Sequence, residues 1–409
     1  MWLAFGVSCL AAFGLWQAIS AVLNWPGLSV VGSRRFATAC IAFVCLAGAL
    51  ALAIDGSILA DLPRVALPGL ILGFVASAGL GGIASRRESP VDALTAPAPG
   101  EKRIVEPVSI PVDLPDRHPI LEETLIAPAS LVAKREADHA AARARADTAI
   151  PGTLFAPAGP CERAIVLICG AGDNRLAFKW PLVRELNARG IAVLSVDPPG
   201  HGDFAGVPTT VENTRRAATA ALNWLASRYP AGRLGALGIS FGGNQAAWLA
   251  ANDQRIRALV LVSTPVRLGP VRRRTIILEA LAMLLPANYA VFRWGSAVDF
   301  WRGWRSMKGY APGPESLYDM IDRFETPGDL AALGGRPVLI AHGRADIAVP
   351  FRNARALASA AGRAELLPVA HGTHLTVILR PEIAARIADW MADSLGGLPV
   401  AQPSLRAAV

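Results

Sequence analysis

Hydrophobic positions follow two different patterns along the chain. Up to residue 85 they form three long runs, 2–23, 36–54 and 65–84, each free of charged residues. From residue 160 they form short blocks, at 164–169, 191–196, 234–238, 258–263, 337–341 and 364–369, without polar alternation. The long runs have the length that a helix needs to cross a bilayer, where backbone groups find no water and must pair within their own segment. The short blocks suit strands buried on both faces, as in a parallel sheet. Helical stretches at 178–189 and 209–229 lie between them, and Thr209-Thr-Val-Glu212 reads as a capping box for the second. Strand alternating with helix predicts a doubly wound, mostly parallel α/β sheet, with ligands bound beyond the carboxyl ends of its strands.

Charge sharpens the division. Residues 1–85 carry only Arg34, Arg35, Asp55, Asp61 and Arg64, whereas the chain as a whole has 40 Lys and Arg and 32 Asp and Glu. The expected organisation is a membrane module over 1–87 with three transmembrane helices, a Pro-rich linker over 88–115, an α/β domain over 116–398 and a tail over 399–409. A cleaved signal peptide is the alternative for the first run, but no base precedes it and two comparable runs follow. In the third run Gly69, Gly73, Ala76, Ser77, Ala78, Gly79, Gly81 and Gly82 would let a neighbouring helix of the same chain approach closely. Arg34 and Arg35 after the first run, and Arg86, Arg87, Lys102 and Arg103 after the third, place those loops and the α/β domain on the cytoplasmic side of an inner or plasma membrane. The five cysteines show neither metal-ligand spacing nor a disulfide framework and read as small buried hydrophobes. The Ala-rich stretch 133–147 fits either a helix or a strand and turn.

The residues that follow the short blocks carry the chemistry. Gly238-Ile-Ser240-Phe-Gly242 stands between a block and a helical segment, the context in which G-x-S-x-G forms a sharp turn that lifts a serine hydroxyl clear of the backbone. A serine hydroxyl is a weak nucleophile, so it needs a base and a group that orients the base. His342-Gly-Arg-Ala-Asp346-Ile-Ala-Val-Pro350 follows the block at 337–341, and His371-Gly-Thr-His374 follows the last one. With Asp197-Pro-Pro-Gly-His-Gly202, these segments resemble the α/β-hydrolase superfamily over residues 150–395, in particular its esterase, lipase, dienelactone-hydrolase-like and serine-aminopeptidase-like branches. The resemblance implies Ser240 as nucleophile, His374 as general base and Asp346 as the carboxylate that steadies the imidazole. His371 is the rival base, and Asp319, Asp322 and Asp329 are rival acids. His201 and His342 are expected to make local hydrogen bonds.

An oxyanion hole needs two donors aimed at the developing charge. The resemblance implies the backbone N–H groups of Phe241 and Ala171, although relatives often have His-Gly where this chain has Cys169-Gly170. Residues 266–335 form an insertion too long for a plain crossover, expected as a helical cap, with residues 275–285 as one helix and a last helix near 316–324. Glu279 inside the first of these marks it as too short to be a further span. The aromatics Tyr289, Phe292, Trp294, Phe300, Trp301 and Trp304 suit an apolar acyl or alkyl group. Eight bases stand against two acids between residues 266 and 310, a surface suited to anionic lipid or to an anionic substrate. No recognition motif for nucleic acid accompanies that charge. Together these features predict a membrane-anchored serine hydrolase of carboxylic esters that uses no metal or organic cofactor. Thioester or amide cleavage on the same residues is the enzymatic alternative. A non-catalytic hydrolase-like binding domain is the other, and transport is disfavoured because the three runs hold no ionisable residue.

Overall fold

The computed structural model describes residues 2–22, 34–84, 103–114, 149–269, 274–275, 278–279 and 315–396. Two compact units divide the chain, one built on the N-terminal helices and the other on the sheet.

The first unit contains α1 (Trp2–Val22), α2 (Arg34–Ile54) and α3 (Ile58–Ala84). The helices stand where the long apolar runs predict them. Two of the small residues act as the sequence suggests: a methyl group on Gly69 would come within 2.5 Å of the Ser8 Cβ, and one on Gly73 would come 3.0 Å from the Phe13 backbone nitrogen. Close packing of α1 on α3 is thus intramolecular. The expectation of membrane spans is corrected, because among the described residues no helix is long and apolar enough to cross a membrane. In α3, Asp61, Pro63, Arg64 and Pro68 fall in the first half of the helix. Large apolar side chains nevertheless stay outside, Trp2 at 80% exposure and Leu46 at 70% among them.

The second unit is an eight-stranded sheet in the order β1-β2-β4-β3-β5-β6-β7-β8. Its strands are β1 (Arg103–Pro111), β2 (Ala149–Pro157), β3 (Arg163–Ile168), β4 (Ile191–Val196), β5 (Leu234–Ile239), β6 (Ile256–Val262), β7 (Val338–Gly343) and β8 (Ala364–Val369). From β4 to β8 neighbouring strands are parallel. Helices α4 (Trp180–Ala188), α5 (Val211–Ala226), α6 (Phe241–Asn252), α7 (Leu317–Phe324), α8 (Thr326–Ala331), α9 (Arg352–Ala360) and α10 (Pro381–Ser394) complete the described part of the unit. Every residue of β3, β4, β5 and β7 is buried, which is why their sequences are apolar without alternation. The core gathers Ile165, Val193, Leu237, Val260 and Ile340 from the central strands.

Two elements differ from expectation. Residues 103–111, assigned to the linker, form an edge strand paired antiparallel with β2 from Arg103↔Pro157 to Pro111↔Ala149. Prolines that suggest a tether are tolerated there, because an edge strand has backbone groups that no neighbour needs. Most of its residues are exposed or half-buried, with Arg103 and Ile110 buried. The sheet domain therefore begins before residue 116. The capping box also shifts by one residue. Thr210 is the N-cap of α5, its hydroxyl accepting from the Asn213 N–H. The Thr209 hydroxyl donates to the Pro199 carbonyl at 2.8 Å, and Glu212 turns along the helix to Arg216. Residues 133–147, 280–314 and the tail lie outside the described residues. Of the predicted first cap helix, residues 275, 278 and 279 are described, and all are helical. Arg267 and Arg274 are the members of the basic cluster that are described, and both are exposed.

Candidate active site

The turn between β5 and α6 holds Ser240 at φ +52°, ψ −123°, a backbone conformation that non-glycine residues rarely adopt. Its backbone N–H donates to the Val262 carbonyl on β6 at 2.8 Å, and its carbonyl accepts from Gly243 at 2.8 Å. The flanking glycines are required by space. A Cβ on Gly238 would run into the Gly242 and Gly243 backbone, and one on Gly242 into the carbonyls of Ile168 and Cys169. The strained turn is thus fixed by neighbours on three strands, and the serine oxygen stands at the carboxyl end of β5.

The loops after β7 and β8 bring the other two groups to it. The Ser240 hydroxyl donates to His374 Nε2 at 3.1 Å, and His374 Nδ1–H donates to Asp346 Oδ2 at 2.9 Å. A carboxylate only accepts, so the bond to Asp346 puts the ring proton on Nδ1 and leaves Nε2 as acceptor for the hydroxyl. The other Asp346 oxygen accepts from the Val349 N–H at 2.7 Å, so the carboxylate is held at both ends. The loops are laced together where Ala345 donates to the Gly372 carbonyl and Arg344 to that of Val369. In the last turn the Thr373 N–H donates to the Thr376 hydroxyl at 2.8 Å. Burial disfavours the charged form of His374, but the Asp346 carboxylate and, more weakly, Glu279 outweigh it, so its pKa is raised above the ordinary histidine value of 6.5.

Of the other histidines, His371 lies exposed in the preceding turn at φ +57°. It is His374 whose ring meets Ser240. His342 is buried and donates from Nε2 to the Val349 carbonyl at 2.7 Å, with the same nitrogen 3.4 Å from Asp346 Oδ2. Burial lowers its pKa, so it neighbours Asp346 as a neutral ring. His201 is buried with Nδ1 2.8 Å from the Pro199 carbonyl, and burial pushes its pKa to about 4. Both make the local bonds that the sequence leads one to expect. Among the rival acids, Asp319 receives the Ser316 hydroxyl at the start of α7. Burial raises the Asp329 carboxyl to about 7, against the pull of Arg215. Cys169 is fully buried with its pKa raised well above the usual thiol value, first by burial, which suits a packed side chain rather than a nucleophile.

Of the two expected oxyanion donors, Phe241 directly follows the serine in the chain. Phe241 is the first residue of α6, and its ring packs at 5.8 Å and 78° on Phe324 of α7. Ala171 packs against the same apolar cluster. The adjoining Gly170 passes so near the nucleophile that a Cβ there would lie 3.1 Å from the Ser240 Cβ. Behind this loop the buried Lys179 ammonium is paired with Asp173 and donates to the Ala177 carbonyl at 2.6 Å. Among the described residues no group of three or more His, Cys, Asp or Glu is placed to hold a metal ion.

One residue of the site was not anticipated. Glu279, read in the sequence only as a charge within a cap helix, is 3% exposed. Its carboxylate accepts from the Ile347 N–H at 3.1 Å and from the His374 N–H at 2.8 Å. No motif surrounds it, so the sequence holds no signal for this contact.

A mostly parallel sheet with a serine at its strand-to-helix elbow, and an acid and a histidine on the last two strand loops, defines the α/β-hydrolase fold. The chain belongs to the family described as serine aminopeptidase, S33, whose model matches residues 159–377. Solved structures of similar fold include the esterase domain of a Rhodothermus marinus protein, 16% identical over 72% of this chain and 100% of that one, with a TM-score of 0.46. A monoacylglycerol lipase from Paleococcus ferrophilus is 18% identical over 60% of this chain and 99% of its own, with a TM-score of 0.48. None of the curated proteins matches the chain.

Proposed function

We propose that the protein is a serine hydrolase that cleaves carboxylic esters through an acyl-enzyme. The observation that carries this reading is the continuous hydrogen-bond chain from Ser240 through His374 to Asp346. In the first half-reaction the Ser240 oxygen attacks the ester carbonyl carbon while His374 Nε2 takes the hydroxyl proton. Asp346 keeps Nδ1 protonated and stabilises the imidazolium that forms. The backbone N–H groups of Phe241 and Ala171 receive the oxyanion; losing one such donor costs about 10²–10³ in rate. Collapse expels the alcohol, which takes the proton from His374. Water then repeats the sequence on the acyl-enzyme and releases the acid. The residues assigned to this reaction need no metal or organic cofactor, and the aromatic content of the insertion favours an apolar acyl group.

Peptide cleavage is the second reading, favoured by the description of the matching family. Its chemistry is the same up to the leaving group. A fluorophosphonate probe should label wild-type protein at Ser240, and p-nitrophenyl esters should turn over faster than aminoacyl p-nitroanilides. Faster anilide turnover would replace the ester reading with the peptidase one. Properly folded protein that takes up no probe would instead leave a hydrolase-like binding domain.

The same proposal places the N-terminal helices at a membrane, with the sheet domain on its cytoplasmic side. Support comes from the apolar side chains left outside on all three helices, such as Trp2, Leu46 and Leu67, and from the bases that flank them. Cell fractionation should recover the protein with the membranes, and a reporter joined after Arg87 should be active in the cytoplasm. Recovery in the soluble fraction would remove the membrane from this reading.

A further inference from the structure

A carboxylate placed in a protein interior is destabilising unless hydrogen-bond donors satisfy it. Glu279 meets that requirement in a particular way. One oxygen takes the N–H of Ile347, the residue directly after Asp346, and the other takes the N–H of His374 itself. One side chain from the insertion between β6 and β7 therefore pins the acid loop and the base loop to each other. Its charge also lies next to the residue whose ring becomes positive when the Ser240 proton moves to Nε2. We infer that Glu279 is a positioning residue for the proposed reaction, holding the loops of Asp346 and His374 in register and stabilising the imidazolium. This rests on the serine-hydrolase reading only for its effect on rate.

The charged and titratable groups around His374 leave room for such an effect. Asp346 and His342 face it from β7 and its loop, with His342 neutral by burial. Glu279 faces it from the insertion. Arg380, ahead of α10, donates to the Ala370 carbonyl and is paired with Glu382, so its charge is already matched. Removing the Glu279 charge leaves Asp346 as the acid that supports His374⁺, and the histidine should then lose its proton at lower pH.

The test compares full-length wild type with E279Q and E279D. The Gln variant keeps the shape but loses the charge and can accept only one of the two N–H groups. It should lower kcat for a short p-nitrophenyl ester about 10–100-fold with little change in KM, the signature of a group acting through the reacting residues. The acidic limb of kcat/KM should move down by about 0.5–1 pH unit. E279D keeps the charge on a shorter arm, so its limb should stay at the wild-type position while kcat falls between those of the other two. A merely structural role would lower activity in both variants without moving either limb, and that result overturns the inference. So does wild-type kinetics in E279Q. An NMR titration of the His374 ring in wild type and E279D against E279Q gives a readout that needs no turnover. If wild type takes no fluorophosphonate, the hydrolase reading fails, and the ring titration still decides for or against Glu279. Should E279Q not fold, the neutral E279S takes its place, and a limb and ring pKa left at the wild-type values in it overturn the inference.

Discussion

His374 is held between opposed influences, burial against charge on one side and the Asp346 carboxylate on the other, and the carboxylate prevails. A general base must be neutral to accept a proton, so the acidic limb of kcat/KM should fall above pH 6.5, the ordinary value for histidine. A limb below that value, measured on a p-nitrophenyl ester, would contradict the ring's placement beside Asp346. The same sign applies to folding. The raised pKa adds stability that is fully present below the unfolded value and is lost as pH rises through the folded one. Single substitutions should separate the histidines. Ser240→Ala and His374→Ala should each cost about 10⁴-fold or more in kcat, whereas His371→Ala should leave most of the activity, its ring being exposed. Asp346→Asn should cost about 10⁴-fold near neutral pH, because an amide no longer fixes the proton on Nδ1.

Elements place these residues, and their sequences disclose them unequally. The strands β3 to β7 were legible because burial on both faces demands uninterrupted apolar runs. The elbow was legible because the strain at Ser240 demands glycine at 238 and 242. Gly238→Ala should therefore be destabilising by at least about 1–3 kcal/mol, the usual cost of overpacking, measured as a lower urea midpoint at unchanged slope. The edge strands were less legible. Residues 103–111 mix Pro107, Pro111 and Glu106 with Ile104, Val105, Val108 and Ile110, and a strand half open to solvent needs no continuous apolar run. Pro151 and Gly152 similarly disguise β2. Cap choice at α5 turned on one residue. Thr209 and Thr210 are equivalent in composition, and only the tertiary bond from Thr209 to Pro199 leaves Thr210 to close the helix. Thr210→Ala should cost about 1 kcal/mol of stability, seen as a lower thermal midpoint. Glu279 shows the limit of local reading, since its partners lie 68 and 95 residues further along the chain.

For the whole molecule, the assignment of residues 103–111 to the sheet moves the start of the hydrolase domain. A chain beginning near residue 98 should fold and hydrolyse esters, whereas one beginning at 116 loses β1 and bares the outer edge of β2. The shorter chain should be less soluble and melt earlier, which light scattering and calorimetry would show. Equal behaviour of the two would mean that β1 contributes nothing to the domain.

Both margins of the sheet are also marked in a way that bears on self-association. At one margin β1 carries Glu106 with Pro107 and Pro111, and at the other β8 exposes Glu365 and Pro368. A strand from a second molecule would meet missing amide hydrogens and a buried-charge penalty on either side, the features by which natural sheets avoid templating fibrils. Each edge of the sheet is therefore a poor template for a strand of a second copy.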